Sequence, residues 1–379
     1  MSRPGYRSVE AFRYRLPLVE SLVMPSGTYH EREGLLIRLT EADGIVGWGD
    51  AAPLPGYSPE TLDEAIVFLT KWARGEPTAL TISGRERPSD EVLMAAVEKA
   101  GIPKHSAAAA WAIVQADAEI EAQRTGRTLA QVYASRGQRG TPADTVGLNA
   151  LLIGDEDAVL AGAARAVADG YGAAKLKVGA LAPGAAANLV RRAAAVLGDV
   201  SLRADANGAW SLDEAFAFAD AIGDVEVEYV EEPLDDVADL PELARRTRIR
   251  WALDESLDRA QADPDIDVAV RAAVVKPTLG AGRIWWASRR LNGTWTPTWT
   301  PDRAGPVVIS STFESGAGMR HLVAVAAAVG TAPAGLDTYR WLADDVLERR
   351  LPIAGPTVDV AAVLAPNPVR MDRLERIDL

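Results

Sequence analysis

From Thr145 onward, short apolar runs recur along the chain, and most of them close on a polar or charged residue. The runs are TVGLNALL (145–152), AAKLKV (173–178), VSLRADAN (200–207), EVEYVEE (226–232), RWALDES (250–256), AAVVKP (272–277), VVISS (307–311) and PAGLD (333–337). Ala-rich stretches of helix formers separate them, and polar markers mostly recur every 22–34 residues. Strands alternating with helices at this spacing indicate βαβ units and a parallel sheet. Eight such units in about 200 residues match a closed (β/α)₈ barrel. An open doubly wound sheet would alternate in the same way, but no GxGxxG motif follows the first run. The expectation is an α/β chain whose residues 141–355 form a (β/α)8-type TIM barrel.

Residues 1–140 read differently, as an α+β capping domain with strands first and helices after. GLLIRLTEADGIVGWG (34–49) has the form of a hairpin around an Ala-Asp-Gly turn. PLPGYSP follows as a loop, and helix formers dominate from about residue 60 to 135. Within them, SAAAAWAIVQADAEIEAQRTG predicts a helix packed through small residues and ending near Gly126. ESLVMPSGTYHERE (20–33) is polar and glycine-containing, precedes the first hairpin, and reads as a loop that is mobile without ligand. Residues 356–379 lie beyond the eighth unit and are expected to pack back on the capping domain. Residues 285–306 hold four of the ten tryptophans and read as a long loop between strands six and seven.

Composition narrows the chemistry. With no cysteine, disulfides, thiolate metal sites and a cysteine nucleophile are excluded. A net charge of −13 and a pI near 4.9 argue against a nucleic-acid partner. No apolar run approaches the roughly 20 residues that span a bilayer, so no membrane partner is expected. The first 20 residues lack the apolar stretch of a signal peptide, which predicts a cytoplasmic protein. Oligomeric state is left open.

Lysine is scarce, six residues among 40 basic ones, yet two of the six lie in one apolar strand, Lys175 and Lys177. Residues two apart on a strand share a face. Lys175 with Lys177, and Asp205 with Asn207, can therefore point into one cavity at the barrel's C-terminal mouth. The next two strands end in Glu231 and Glu232, and in Asp254 and Glu255; the sixth ends in Lys276. Three consecutive strands thus bring carboxylates to a common point, where they would repel one another unless a cation intervened. Oxygen-only donors favour a hard ion, Mg²⁺, with Mn²⁺ as substitute. A second ammonium beside Lys177 disfavours its protonation, as a general base requires. A carbon acid held between Lys177 and Lys276 would lose its α-proton to give an enediolate stabilised by the metal.

These residues resemble the enolase superfamily, in its muconate-lactonising subgroup rather than the histidine-base subgroup. KLKVG (175–179) is similar to the family's K-x-K motif, which implies that Lys177 is the catalytic lysine. The resemblance further implies metal ligands at Asp205 in LRADANGAW, Glu231 in VEEP and Asp254 in LDES. Glu232 and Glu255 become supporting groups behind those ligands, and Lys276 in VVKPTLGAG the lysine opposite the base. Within the subgroup, GWGDAAPLPGYSPETLDEA (47–65), VISSTFESGAG (308–318) and AGLDT (334–338) are similar to the o-succinylbenzoate synthases. That family likeness implies a hydro-lyase of menaquinone biosynthesis. Its reaction is the syn-dehydration of 2-succinyl-6-hydroxy-2,4-cyclohexadiene-1-carboxylate to o-succinylbenzoate, with Lys177 as both base and acid. It places Ser310 and Gly335 at the succinyl end of the substrate, with Asn207 and Arg203 as further substrate-side residues. Two other readings stay open. An N-succinylamino acid racemase, or another enzyme of the subgroup, would use both lysines as bases; a ligand-binding barrel without catalysis would use neither.

Overall fold

The computed structural model describes residues 5–24, 26–76, 106–137, 139–280 and 305–379. The expected tryptophan-rich loop lies almost wholly outside them. The chain opens with three long antiparallel strands: β1 (Ser8–Met24), β2 (Gly27–Thr40) and β3 (Val46–Ala51). The β2–β3 pair is the hairpin read from residues 34–49, with its turn at Ala42-Asp43-Gly44. A last strand, β13 (Glu375–Ile377), adds to the free edge of β1, giving the sheet order β13-β1-β2-β3.

The loop expected at 20–33 is instead the outer end of the β1–β2 hairpin. Pairing slips between Pro17 and Leu22, then resumes at Leu22↔Tyr29, Val23↔Thr28 and Met24↔Gly27. Proline has no N–H for the ladder, which fits a break at Pro17. The β-branched and aromatic residues beyond it suit a strand better than the polarity of the stretch suggested. The exposed hairpin tip touches the loop that follows β3: Ser26 Oγ donates to the Pro55 carbonyl at 3.1 Å.

One helix, Ala107–Thr125, packs against β3 and β2 within the N-terminal half and also reaches Pro277–Leu279 of the barrel. Its residues are buried almost all round at its N-terminal end, as an interior helix requires. It lies against β3 at a distance only glycine allows. A Cβ on Gly47 would stand 1.9 Å from the Ala116 carbonyl oxygen, and one on Gly49 the same distance from that of Ala112. The GWG sequence and the alanine run are therefore two sides of one packing solution.

Seven further strands form a parallel sheet in the order β11-β10-β9-β8-β7-β6-β5. They are β5 (Asn149–Leu152), β6 (Ala173–Lys177), β7 (Ser201–Asp205), β8 (Tyr229–Glu231), β9 (Trp251–Leu253), β10 (Ala272–Val275) and β11 (Val307–Ile309). The eighth position is filled by Ala334 and Gly335, which make single parallel bridges to Leu148 on one side and Ser310 on the other. These bridges close the sheet into a barrel. The first run divides: Thr145–Gly147 (β4) turns away to pair with Thr357–Asp359 (β12), and only 149–152 enters the barrel. Among the described residues, no helix is long and apolar enough to cross a membrane.

Asp50, at the end of β3, joins the two halves electrostatically. Its carboxylate accepts from Tyr14 Oη at 2.9 Å, from Ser315 N at 2.9 Å and from Ser315 Oγ at 2.7 Å, at the start of helix Gly316–Val329. Burial pushes its pKa from the ordinary 3.8 up to about 6, despite the hydrogen bonds from Ser315 and Tyr14. A raised carboxyl holds its proton in the folded state after the unfolded chain has lost it. Asp50's contribution to stability therefore falls as pH rises from about 4 to 6, then levels off. The difference in Tm between the parent and Asp50→Asn is expected to shift against the parent across that window. A difference that stays constant with pH would refute this.

Candidate active site

Strand register assembles the site. Lys177, Asp205 and Glu231 are consecutive Cα partners across β6, β7 and β8, so they sit at one level of the barrel rim. Lys175, Arg203 and Tyr229 form the level beneath. Asp254 follows β9 and Lys276 follows β10. Beyond the Val275↔Ile309 pair, Lys276 and Ser310 are the next residues on neighbouring strands. β6 and β10 hold the second and sixth of eight positions, so Lys177 and Lys276 rise from opposite walls.

Lys175 is not surface filler. Its ammonium donates to Glu231 Oε1 at 2.8 Å and Oε2 at 2.7 Å, and lies 2.9 Å from Asp205 Oδ2. Burial opposes its charge, but Asp205 and Glu231 outweigh burial and push its pKa well up. Burial also pushes Asp205 up, yet Lys175 and Lys177 hold it below the usual carboxylate range. Glu231 goes the other way: burial raises it well above that range, Lys175 only partly offsets this, and Asp205 and Asp254 add to it.

Lys177 is more open, with 57% of its side chain exposed. It donates to Asn207 Oδ1 at 2.9 Å and stands 3.8 Å from Asp205 Oδ2. Lys276 is buried and donates to Asp254 Oδ2 and to the hydroxyl of Tyr57. Burial works against its charge, while Asp254, Glu255 and Glu231 together keep it protonated. Glu232 sits behind this layer, accepting from Asp254 N at 2.6 Å and Ser256 N at 2.9 Å. Glu255 Oε1 lies 4.0 Å from the Lys276 ammonium.

Backbone strain collects here. Among the described residues, the non-glycine positions with positive φ are Asn207 (50°), Glu232 (41°) and Phe313 (63°), each shortly after a barrel strand. Such conformations persist where surrounding structure holds them, commonly at functional sites.

Ser310 and Gly335 come together: Ser310 Oγ donates to the Gly335 carbonyl at 3.3 Å. A Cβ on Gly335 would stand 2.6 Å from that hydroxyl oxygen. Arg203 departs from the expectation of a substrate contact. It is fully buried one level below the rim, donating to Glu228 at 2.6 Å, to Asn149 Oδ1 at 3.2 Å and to the Pro333 carbonyl at 2.7 Å. Its guanidinium also lies over the Tyr229 ring. These partners turn it toward the barrel floor, where it supports the rim from below.

Tyr57 is the residue the sequence reading missed. It arrives from the capping half, in the PLPGYSP loop, and its hydroxyl lies 3.3 Å from Asp254 Oδ2. The Lys276 ammonium stands 4.7 Å from the centre of its ring. A single aromatic in a Pro/Gly loop has no periodicity to mark it; its only signal was the loop itself.

The donor chemistry of Asp205, Glu231 and Asp254 fits a hard divalent cation: three buried carboxylates from successive strands, with no sulfur or imidazole among them. Among the described residues, however, no three acidic or histidine groups stand gathered as a ready-made ligand set. Asp205 and Glu231 converge on Lys175, and Asp254 on Lys276, because each ammonium neutralises the acid nearest it.

Comparison with known proteins agrees with this architecture. Residues 158–267 match the family model described as "Enolase C-terminal domain-like", and residues 6–89 match "MenC, N-terminal domain". An o-succinylbenzoate synthase of Yersinia pseudotuberculosis serotype O:3 (strain YPIII) is 31% identical over 341 residues, covering 88% of this chain and 90% of the relative. The chain belongs to the o-succinylbenzoate synthase family of the enolase superfamily. By that membership it is an enzyme, of the carbon–oxygen lyase class. The same fold recurs in more distant structures. A dipeptide epimerase from Enterococcus faecalis V583, complexed with Mg and the dipeptide L-Leu-L-Tyr, superposes with a TM-score of 0.75 at 20% identity, covering 94% of this chain and 97% of that one. An N-succinyl Arg/Lys racemase from Bacillus cereus ATCC 14579 gives 0.77 at 16% identity, covering 99% and 100%.

Proposed function

We propose that this chain dehydrates 2-succinyl-6-hydroxy-2,4-cyclohexadiene-1-carboxylate to o-succinylbenzoate, the aromatic acid used in menaquinone biosynthesis. The observation that carries the reading is the asymmetry of the two facing lysines. Among the described residues Lys177 is open and meets Asn207 and Asp205, whereas Lys276 is buried and clamped as a cation by Asp254 and Tyr57. Syn-elimination needs one acid-base group on one face and a fixed charge on the other, which is what this pair offers.

Asp205, Glu231 and Asp254 would hold Mg²⁺, with Mn²⁺ able to replace it. When bound, the metal supplies positive charge to the substrate carboxylate. The neutral amine of Lys177 takes the proton from the carbon α to that carboxylate, and the electron pair moves into an enediolate. The Lys276 ammonium faces the developing negative charge. The ring C–O bond then breaks, the Lys177 ammonium returns its proton to the departing hydroxyl, and water leaves as the ring becomes aromatic. Ser310 and Gly335 form the wall beside Lys276, where the succinyl arm fits.

Racemisation of N-succinylamino acids is the second reading, and two lysines on opposite walls favour it. It requires Lys276 to exchange a proton in its own right. Lys276→Arg keeps the cation but is a far poorer base. It is expected to depress racemisation of an N-succinylamino acid more than dehydration. Both activities are measured on the parent enzyme and the variant. Turnover of the dehydration substrate tests the main reading; efficient racemisation with no dehydration would overturn it.

A further inference from the structure

A buried arginine outside the chemistry links the two halves around the site. Arg32, on β2, is 2% exposed. Its five N–H groups face backbone carbonyls drawn from three places in the chain. Nε donates to Phe313 O at 3.1 Å, and Nη1 to Glu33 O at 2.5 Å and Pro53 O at 3.0 Å. Nη2 donates to Ala52 O and, at 3.3 Å, to Thr312 O. Burying a guanidinium is costly unless its donors are met, and here every donor direction has a carbonyl. Only a planar fork with five donors can serve acceptors on both sides at once.

The segments it joins both lead to the site. Ala52 and Pro53 begin the loop that carries Tyr57 to Lys276 and Asp254. Thr312 and Phe313 follow Ser310, and Phe313 is one of the strained positive-φ residues. Further along the first loop, Gly56 (φ 72°) lies so close to the hairpin tip that a Cβ would meet Ser26 at 2.1 Å.

We propose that Arg32 is a positioning residue. By tying the Ala52–Pro53 carbonyls of the cap to the Thr312–Phe313 carbonyls of the barrel, it sets where Tyr57 meets the head of Lys276. This rests on the reading of the lysine–carboxylate cluster as the active site, whichever of the two reactions it performs.

The test is a double-mutant cycle on the full-length enzyme using Arg32→Lys and Tyr57→Phe. Lysine keeps the charge but offers three donors on one atom, too few to reach both sides. Arg32→Lys is expected to lower kcat by roughly 10- to 100-fold, the scale of a misplaced catalytic group, with KM changed less than about threefold. In the Tyr57→Phe background the same substitution is expected to cost far less, because groups that act through one another are not additive. Hydrogen exchange adds a structural readout: peptides covering 52–57 and 312–313 are expected to lose protection together in Arg32→Lys. Full additivity with Tyr57→Phe, or an unchanged kcat in a variant with lowered Tm, would overturn the proposal. If Arg32→Lys is too unstable to assay, Arg32→Gln, with one uncharged donor pair, takes its place in the cycle. The cycle is run on whichever substrate the parent turns over. A parent inert toward the dehydration substrate but active on an N-succinylamino acid thus counts against the assigned reaction, not against Arg32.

Discussion

Replacing Lys177 with alanine is expected to lower dehydration by about 10²–10⁴-fold or more, the usual range for a positioned acid-base group. The loss is expected at the larger end because one side chain serves both proton transfers. Lys175 cannot stand in for it. Its ammonium is shared between Asp205 and Glu231 at 2.7–2.9 Å and kept charged by them. Lys276 cannot either, being buried against Asp254 and Tyr57 on the opposite wall. Exchange of the α-proton with solvent deuterium, followed for each enantiomer of an N-succinylamino acid, separates these roles. Parent-rate exchange of both enantiomers by Lys177→Ala would show that the base is another group. Residual exchange of one enantiomer alone would place a second base at Lys276 and favour racemisation.

Much of this site was legible because barrel geometry converts sequence into position. A polar residue at the end of an apolar run lands on the rim, and adjacent runs land side by side, as Lys177, Asp205 and Glu231 do. What could not be read was which way a side chain leans once inside. Arg203 stands two residues before Asp205 just as Lys175 stands two before Lys177, so parity treats them alike. Yet the Lys175 head rises to Asp205 and Glu231, while Arg203 turns down to Glu228, Asn149 and Pro333. Partners distant in the chain were equally hidden. Thr145–Gly147 leaves the barrel for β12 near the C-terminus, and Tyr57 crosses from the cap to residues some 200 positions away. Neither contact has a local sequence signal. The outer end of the first hairpin was misread for a related reason: its polarity reflects exposed strand faces, which a loop would share.

Asp205→Asn, Glu231→Gln and Asp254→Asn are each expected to reduce turnover by about 10²–10³-fold or more, the scale for loss of electrostatic stabilisation at a developing charge. Each substitution keeps the shape of the side chain and removes one negative charge, so the barrel is expected to remain folded by circular dichroism. The three need not weaken metal binding equally. Glu231 lies between Asp205 and Asp254 in strand order, and burial together with those two acids opposes its charge, which Lys175 only partly offsets. Glu231→Gln relieves that opposition, while leaving the Lys175 ammonium with Asp205 as its remaining carboxylate. Asp205→Asn instead removes a carboxylate that lies within 4.0 Å of both Lys175 and Lys177. Mn²⁺ binding, followed by electron paramagnetic resonance, gives a readout independent of turnover. Weakened binding in all three variants is expected, with Asp205→Asn also altering the pH profile through its contact with Lys177. Full activity of the parent in excess EDTA, after bound metal has been shown to be gone, would remove the metal from the reaction and leave the three acids as partners of the lysines alone.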